Sequence, residues 1–179
     1  MTLKLVVIQK RHDRKNFDCG YQALNRFLAR SARTSSDKRM TRTYVLEASQ
    51  DPDAVIGFVT LTYTSIEIPD ECLSGRNLKS PVPALLLAKM GVSKHHKGQG
   101  YGGHLLTFAI KQAAEVSSQV GGVGLVVDAK DQKAKAFYLD QGGEDFEVID
   151  DTGLKLWLPI DICNAIARAC RRESDKVDP

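Results

Sequence analysis

The chain has 179 residues, 42% of them hydrophobic and 26% charged, with a formal net charge of +3. That length predicts one domain with a substantial core, residues 1–173, followed by a short polar tail at 174–179. The composition excludes a low-complexity, collagen-like or disulfide-stapled chain. No apolar run reaches the length of a membrane span. The distribution of charge says more than its sum. Lys10 to Arg42 holds ten basic residues against Asp13, Asp18 and Asp37, a local net of +7, which leaves the rest of the chain at −4. A focused basic segment on a near-neutral protein points to a polyanionic partner.

In chain order, Leu3 to Ile8 reads as a short buried strand. Asp18 is placed to cap a helix that carries Leu24, Phe27 and Leu28 on one face and Arg26, Arg30 and Arg33 on others. Thr41 to Ala48 and Val55 to Ile66 read as two strands joined by a turn at Gln50–Asp53. Pro69 to Pro83 reads as a long loop or broken helix. Ala84 to Val92 is an apolar strand in which Gly91 marks a bulge or a close approach. His104 to Val116 is an amphipathic helix with Leu105, Leu106, Ala109, Ile110 and Ala113 inside. Val123 to Val127 is a buried strand, and Asp131 caps a helix bearing Ala134, Phe137 and Tyr138. Phe146–Ile149 and Leu154–Leu158 flank Asp150-Asp151-Thr152-Gly153, a hairpin signal, and Ile162 to Cys170 forms a last amphipathic segment. The order predicts an α/β (α+β) fold: a mixed, mostly antiparallel central sheet with flanking helices and one parallel crossover.

Cys19, Cys72, Cys163 and Cys170 lie far apart without metal-ligand spacing, and His95-His96 adds no zinc pattern. Free thiols in a reducing compartment and no metal are expected. With a start too short and too soon basic for a signal peptide, the expected location is the cytoplasm.

The stretch Lys97-Gly98-Gln99-Gly100-Tyr101-Gly102-Gly103 carries the chemistry. Glycines there permit φ > 0 and close backbone approach, and a helix start directs free N–H groups at an anion, which suits a phosphate or pyrophosphate. Gly98, Gly100 and Gly103 formally meet the dinucleotide fingerprint, with Asp128 in the position of its ribose-binding acid. That fingerprint requires a strand running almost directly into its first glycine, whereas Ser93-Lys94-His95-His96-Lys97 intervenes. A Walker loop is excluded because no Gly-Lys-Ser/Thr follows.

The loop resembles the acyl-CoA pyrophosphate loop of the GNAT superfamily of N-acetyltransferases, Gln/Arg-x-x-Gly-x-Gly/Ala. The match falls on Lys97, Gly100 and Gly102, with lysine in place of the usual glutamine or arginine. Within that superfamily the chain resembles the toxins of bacterial toxin–antitoxin pairs. The ordered landmarks are Phe17-Asp18-Cys19-Gly20 with Leu24 and Phe27-Leu28, Arg39 with Arg42 to Leu46, Gly57 to Leu61, and Pro81 to Leu87. The glycine loop, Val126 to Ala129, Ala136-Phe137-Tyr138 and Leu156 to Pro159 complete them. The departure is Gln141-Gly142-Gly143-Glu144, where relatives end a segment in aromatic-Gly-Phe.

The resemblance implies that acetyl-CoA is the co-substrate. Its thioester arm would lie beside Met90, Gly91 and Val92, and its diphosphate on Lys97, Gly98, Gln99, Gly100, Tyr101, Gly102 and Gly103. Asp131 and Phe137 are also expected at the coenzyme, and Tyr138 is the expected acid at its sulfur. A phenol with pKa about 10 holds its proton at neutral pH. The strand Ala84–Val92 offers no carboxylate as a general base. That suits an acceptor α-amino group, with pKa near 8, better than a lysine amine near 10.4. Together with the basic segment this points to aminoacyl-tRNA, with Lys38, Arg39, Arg42 and Lys94 as nucleic-acid contacts and Arg30 and Arg33 as further candidates. The expected protein is an acetyl-CoA-dependent toxin that acetylates charged tRNA and blocks translation. The resemblance further implies a homodimer and a small antitoxin partner, often a ribbon-helix-helix protein. Two alternatives stand beside it: a GNAT enzyme acting on a small-molecule amine or protein terminus, and a catalytically silent CoA-binding regulatory module.

Overall fold

The computed structural model describes residues 2–143 and 145–174. The chain runs through β1 (Leu3–Val7), α1 (Gln22–Arg30), α2 (Ala32–Asp37), β2 (Arg42–Ala48), β3 (Gly57–Ile66) and the short α3 (Asp70–Leu73). It continues through β4 (Val82–Val92), α4 (Tyr101–Val120), β5 (Gly124–Asp128), α5 (Gln132–Gly142), β6 (Glu147–Val148), β7 (Lys155–Pro159) and α6 (Ile160–Ser174). The seven strands form one sheet in the order β1-β2-β3-β4-β5-β7-β6, mostly antiparallel with one parallel pair. Helix α4 connects the neighbours β4 and β5, and a helical crossover of this kind joins parallel strands. The mixed, mostly antiparallel α/β architecture is the one expected from the order of elements.

The chain divides into two compact units, Met1–Thr62 with Leu87–Leu105, and Tyr63–Leu86 with Leu106–Pro179. In the first, β1 pairs antiparallel with β2 from Leu3 opposite Ala48 to Val7 opposite Tyr44, and β2 pairs with β3 from Arg42 opposite Leu61. Its core gathers Ile8, Phe17, Cys19, Leu28, Ala32, Val45, Val55 and Phe58, with Leu24 and Phe27 packed against them. The apolar spacing of α1 produces this, since residues three and four apart share one face.

The start of α1 corrects one expectation. Asp18 does not cap it: the N-cap is Tyr21, whose side chain makes no capping hydrogen bond. Asp18 instead accepts hydrogen bonds from the Gly20 N–H (2.8 Å) and the Asn25 Nδ2 amide (2.8 Å). The helix also ends sooner than its apolar pattern suggests, because Ser31 breaks it into α1 and α2.

In the second unit, Ile66, Ile68, Leu73, Val82, Ala84, Val126, Ile149 and Trp157 form the core. β5 pairs antiparallel with β7 from Gly124 opposite Pro159, and β6 pairs with β7. A side chain at Gly124 would collide with the Leu158 carbonyl and the Trp157 ring, so the position admits only glycine. The Asp150 carboxylate accepts N–H bonds from Leu154 (3.1 Å) and Lys155 (2.9 Å), closing the predicted hairpin turn. Arg76 lies over the buried Trp157 ring at 5.3 Å and pairs with Glu147 (3.1 Å) and Asp161 (2.9 Å), which ties the 67–81 segment to β6 and α6. Among the described residues no helix is long and apolar enough to cross a membrane. Of the expected polar tail, Ser174 ends α6 and residues 175–179 lie outside the described residues.

Candidate active site

The glycine loop joins β4 to α4. After Val92 the buried Ser93 donates its N–H to the Ile56 carbonyl (2.8 Å), and a 3-10 turn spans Lys94–His96. Lys97 is extended, and Gly98 and Gly100 follow at φ of 76° and 80°, where a side chain would be strained. No atom lies within 4 Å of where a Cβ would sit at either glycine, so their outer faces are open. The helix starts at Tyr101, three residues earlier than its apolar periodicity indicates, and Gly102 and Gly103 belong to its first turn. The first backbone bond into this turn runs from the His104 N–H to the Gly100 carbonyl (3.1 Å). The N–H groups before it lack intrahelical partners, and the dipole of a 20-residue helix adds a positive field at the same end. This is the chemistry of an anion site.

The lead-in to the loop is held from residues 18–21. The Lys94 N–H donates to the Asp18 carbonyl (2.8 Å), and the Lys94 ammonium lies 2.6 Å from the Asp18 carboxylate. The Lys97 ammonium sits 5.7 Å from the centre of the Tyr21 ring, a cation–π contact. Lys94, Gly20 and Asn25 together hold the Asp18 carboxyl well below the usual carboxylate range.

On β4, Met90, Gly91 and Val92 are half-buried. A Cβ at Gly91 would stand 3.2 Å from the Phe58 ring and 3.4 Å from Cys19 Sγ, so the glycine permits a close approach by side chains. Phe58 is fully buried and packs edge-on against Phe17 at 5.5 Å. Gly57 answers the same need from β3, since a Cβ there would come within 3.0 Å of the Gly91 carbonyl and of Leu105. The strand floor is therefore close-packed on one side.

In the second unit Asp131 caps α5 as expected, accepting from the Ala134 N–H at 2.7 Å, while its other oxygen lies 3.2 Å from the Lys130 ammonium. Phe137 is half-buried and meets Tyr138 edge-on at 5.4 Å. Tyr138 is 8% exposed, and burial alone pushes its phenol up to about 12. At the end of α5 a Cβ on Gly142 would overlap the Phe146 ring. This gives a packing reason for glycine within the departure at 141–144, of which Glu144 lies outside the described residues.

Among the basic candidates, Lys38, Arg39 and Arg42 cluster where α2 turns into β2; all three are exposed, and Arg39 adopts φ 58°. None of the three is ion-paired among the described residues. Arg33 pairs with Asp37 at 2.6 Å, and Lys94 is engaged by Asp18. Among the described residues no group of three or more His, Cys, Asp or Glu side chains could hold a metal ion. Sequence reasoning missed Asn25, Tyr21 and Phe58 as neighbours of these elements. Their pairings with Asp18, Lys97 and Gly91 span between 7 and 76 positions, and no local pattern announces them.

The Acetyltransferase (GNAT) family matches residues 11–142. A curated relative, the tRNA-acetylating toxin of Mycobacterium tuberculosis, is 30% identical over 147 residues, covering 82% of this chain and 85% of that protein. A crystal structure of a tyrosine-to-phenylalanine mutant of KacT is 28% identical with a TM-score of 0.82, covering 93% of this chain and 99% of that one. AtaT complexed with acetyl-methionyl-tRNAfMet is 25% identical with a TM-score of 0.80, covering 89% and 96% of the two chains. AtaTR bound with AcCoA is 26% identical with a TM-score of 0.76 over 92% and 97%.

Proposed function

Because this chain belongs to the Acetyltransferase (GNAT) family and is an acetyl-CoA-dependent N-acetyltransferase, we propose that its acceptor is the α-amino group of aminoacyl-tRNA and that it is a toxin acting on translation. The observation that carries the donor half is the open glycine loop at the start of α4, with its free N–H groups and positive φ at Gly98 and Gly100. The acceptor half is supported by the likeness to the tRNA-acetylating toxin and to AtaT in its acetyl-methionyl-tRNAfMet complex. The unpaired Lys38, Arg39 and Arg42 agree with it.

In this reading Lys97 to Gly103 hold the diphosphate through backbone N–H groups. Met90, Gly91 and Val92 orient the thioester carbonyl by strand-like pairing, and Phe137 lines the coenzyme. Asp131 serves the coenzyme only by starting α5, since its carboxylate is spent on the cap and on Lys130. The neutral acceptor nitrogen attacks the thioester carbonyl; a C–N bond forms, the C–S bond breaks, the acceptor loses one proton to solvent water, and the sulfur leaves as CoA thiolate, which solvent reprotonates. Tyr138 donates its O–H to the sulfur as charge develops there. A phenol pushed up to about 12 is a weaker acid than an ordinary thiol, at about 8.5, so it acts as a hydrogen-bond donor to the sulfur rather than by complete proton transfer. With an acceptor amine near pKa 8, no protein base is needed, which fits a strand without carboxylates. Acetylation removes the nucleophile of peptide-bond formation. The same reading places the protein in the cytoplasm, as a homodimer with a small antitoxin partner; AtaT has been solved bound to the C-terminus of its antitoxin AtaR.

The experiment incubates the purified chain with acetyl-CoA and a charged tRNA pool and identifies acetylated aminoacyl nucleosides by mass spectrometry. Acetylation of a polyamine alone, with no product from any charged tRNA, would return the protein to the small-molecule enzymes of the family.

A further inference from the structure

We infer that Asp18 is a positioning residue for the coenzyme loop: with Asn25 behind it, it clasps Lys94 and so holds the lead-in of the glycine loop in its binding shape. The inference rests on the acyl-CoA reading of that loop. Both residues read differently in the sequence, Asp18 as a helix cap and Lys94 as a tRNA contact.

The bonds form one connected set. Asn25, in the first turn of α1, donates its amide to Asp18 Oδ1 (2.8 Å) and accepts the Cys19 N–H on Oδ1 (3.0 Å). The same Asp18 oxygen accepts the Gly20 N–H (2.8 Å). The segment 18–20 is thereby fixed to α1 from both edges of one amide side chain. From this anchored segment two bonds cross to Lys94: its N–H to the Asp18 carbonyl (2.8 Å), and its ammonium to Asp18 Oδ2 (2.6 Å). Three residues on, Lys97 is caught over the Tyr21 ring, and a Cβ at Gly20 would come within 3.5 Å of its ammonium. Gly20 at φ 85° supplies the turn. Ser93, just before, is bonded to Ile56.

Residues 93 to 97 are thus held at Ser93, Lys94 and Lys97, while a Cβ at Gly98 or Gly100, immediately after, would meet no atom within 4 Å. An anion site of backbone N–H groups gains most when its donors are already ordered, because the ligand then bears less of the conformational entropy. An isolated exposed ion pair contributes little. Here the pair is one strand of a set that includes a backbone bond and a carboxylate already satisfied by two further donors. The clasp also neutralises Lys94, which removes it from the charges free to meet a phosphate of tRNA.

The test uses the purified full chain with Asp18→Ala, Lys94→Met, Lys94→Arg and the Asp18→Ala/Lys94→Met double variant. Calorimetry with CoA gives the affinity, and steady-state kinetics with acetyl-CoA and charged tRNA give the split between kcat and KM. Asp18→Ala and Lys94→Met are each expected to weaken CoA binding roughly fivefold, the size expected when an organised ion pair is lost. The double variant is expected to be no worse than either single one, because both remove the same link. Lys94→Arg keeps the pair and restores CoA affinity to within about twofold, while kcat at saturating acetyl-CoA and the KM for charged tRNA stay near wild type. If Asp18→Ala does not fold, the two Lys94 variants decide alone. A wild-type chain that binds CoA, with variants that bind it equally well, overturns the clasp alone. Weaker tRNA binding with intact CoA affinity in Lys94→Met does the same and returns Lys94 to the acceptor. A wild-type chain that binds no CoA overturns the coenzyme reading itself.

Discussion

Replacing Tyr138 by phenylalanine removes one oxygen from a side chain that is 8% exposed. Two effects follow, and they separate by pH. Burial pushes the phenol up to about 12 in the folded chain, against about 10 when unfolded. The folded state therefore holds this proton more tightly. The resulting stability is fully present below pH 10 and is lost as pH rises through 12. A shift of about two units corresponds to about 2–3 kcal/mol. Urea unfolding between pH 9 and 12 is expected to reveal that loss in the wild type and its absence in Tyr138→Phe. Near neutrality the phenol is protonated throughout, so the rate at subsaturating charged tRNA is expected to rise with deprotonation of the acceptor amine, below about 8 for an aminoacyl ester, and then stay level through pH 10. Losing the donor to the developing thiolate lowers that plateau by about 100-fold, the lower end of what one hydrogen-bond donor to a developing anion contributes, without altering the shape of the profile. CoA affinity should stay unchanged. A wild-type rate that falls with an apparent pKa near 10, or a phenylalanine variant of undiminished kcat, would refute the role given to Tyr138.

Gly100→Ala meets open space but must hold a side chain at φ 80°, so about 1–2 kcal/mol of strain falls on the loop and CoA affinity should drop roughly tenfold in a calorimetric titration. The buried His12 donates from Nε2 to Glu47 (3.0 Å) and accepts the Gln9 N–H on Nδ1 (3.0 Å), while Arg11 also pairs with Glu47. Glu47→Ala removes the carboxylate partner of the buried His12 and one of two from Arg11, which keeps Asp53 at 3.4 Å, and denaturant unfolding at pH 7 should show a loss of about 2 kcal/mol, less than for a fully buried pair because Arg11 reaches solvent. Burial would raise the Glu47 carboxyl, but His12 and Arg11 outweigh it and lower it, so its contribution is present above the ordinary carboxylate pKa and disappears as pH falls through the folded value. Changing Lys38, Arg39 and Arg42 together to alanine should weaken tRNA binding and flatten its dependence on salt, with CoA affinity unchanged in filter-binding and calorimetric measurements.

The parts of this fold that sequence could reach are those set by local chemistry. Asp131 three residues before Ala134, the Asp150–Gly153 turn, and the inner face Leu105, Leu106, Ala109, Ile110 and Ala113 all appear as their spacing requires. Asp18 has the residue type of a cap yet serves another purpose, because the Asn25 amide and Lys94, 76 positions away, hold its carboxylate more fully than a helix N–H would. The early start of α4 was hidden by Gly102 and Gly103, which weaken helix propensity. They are tolerated in a first turn whose N–H groups need no intrahelical partner. The break at Ser31 carries no such signal, since neither glycine nor proline stands near it. For the site, the loop was legible from its glycines, whereas what anchors it lies far away in sequence.

The most direct test of the function follows the acetyl group itself: radiolabelled acetyl-CoA, the purified chain and a charged tRNA pool, with label recovered on the aminoacyl end after nuclease digestion. The account predicts N-acetyl aminoacyl adenosine from at least one charged tRNA and none from the same tRNA left uncharged. Label that stays with the coenzyme, or passes only to polyamines or protein amines, would contradict it.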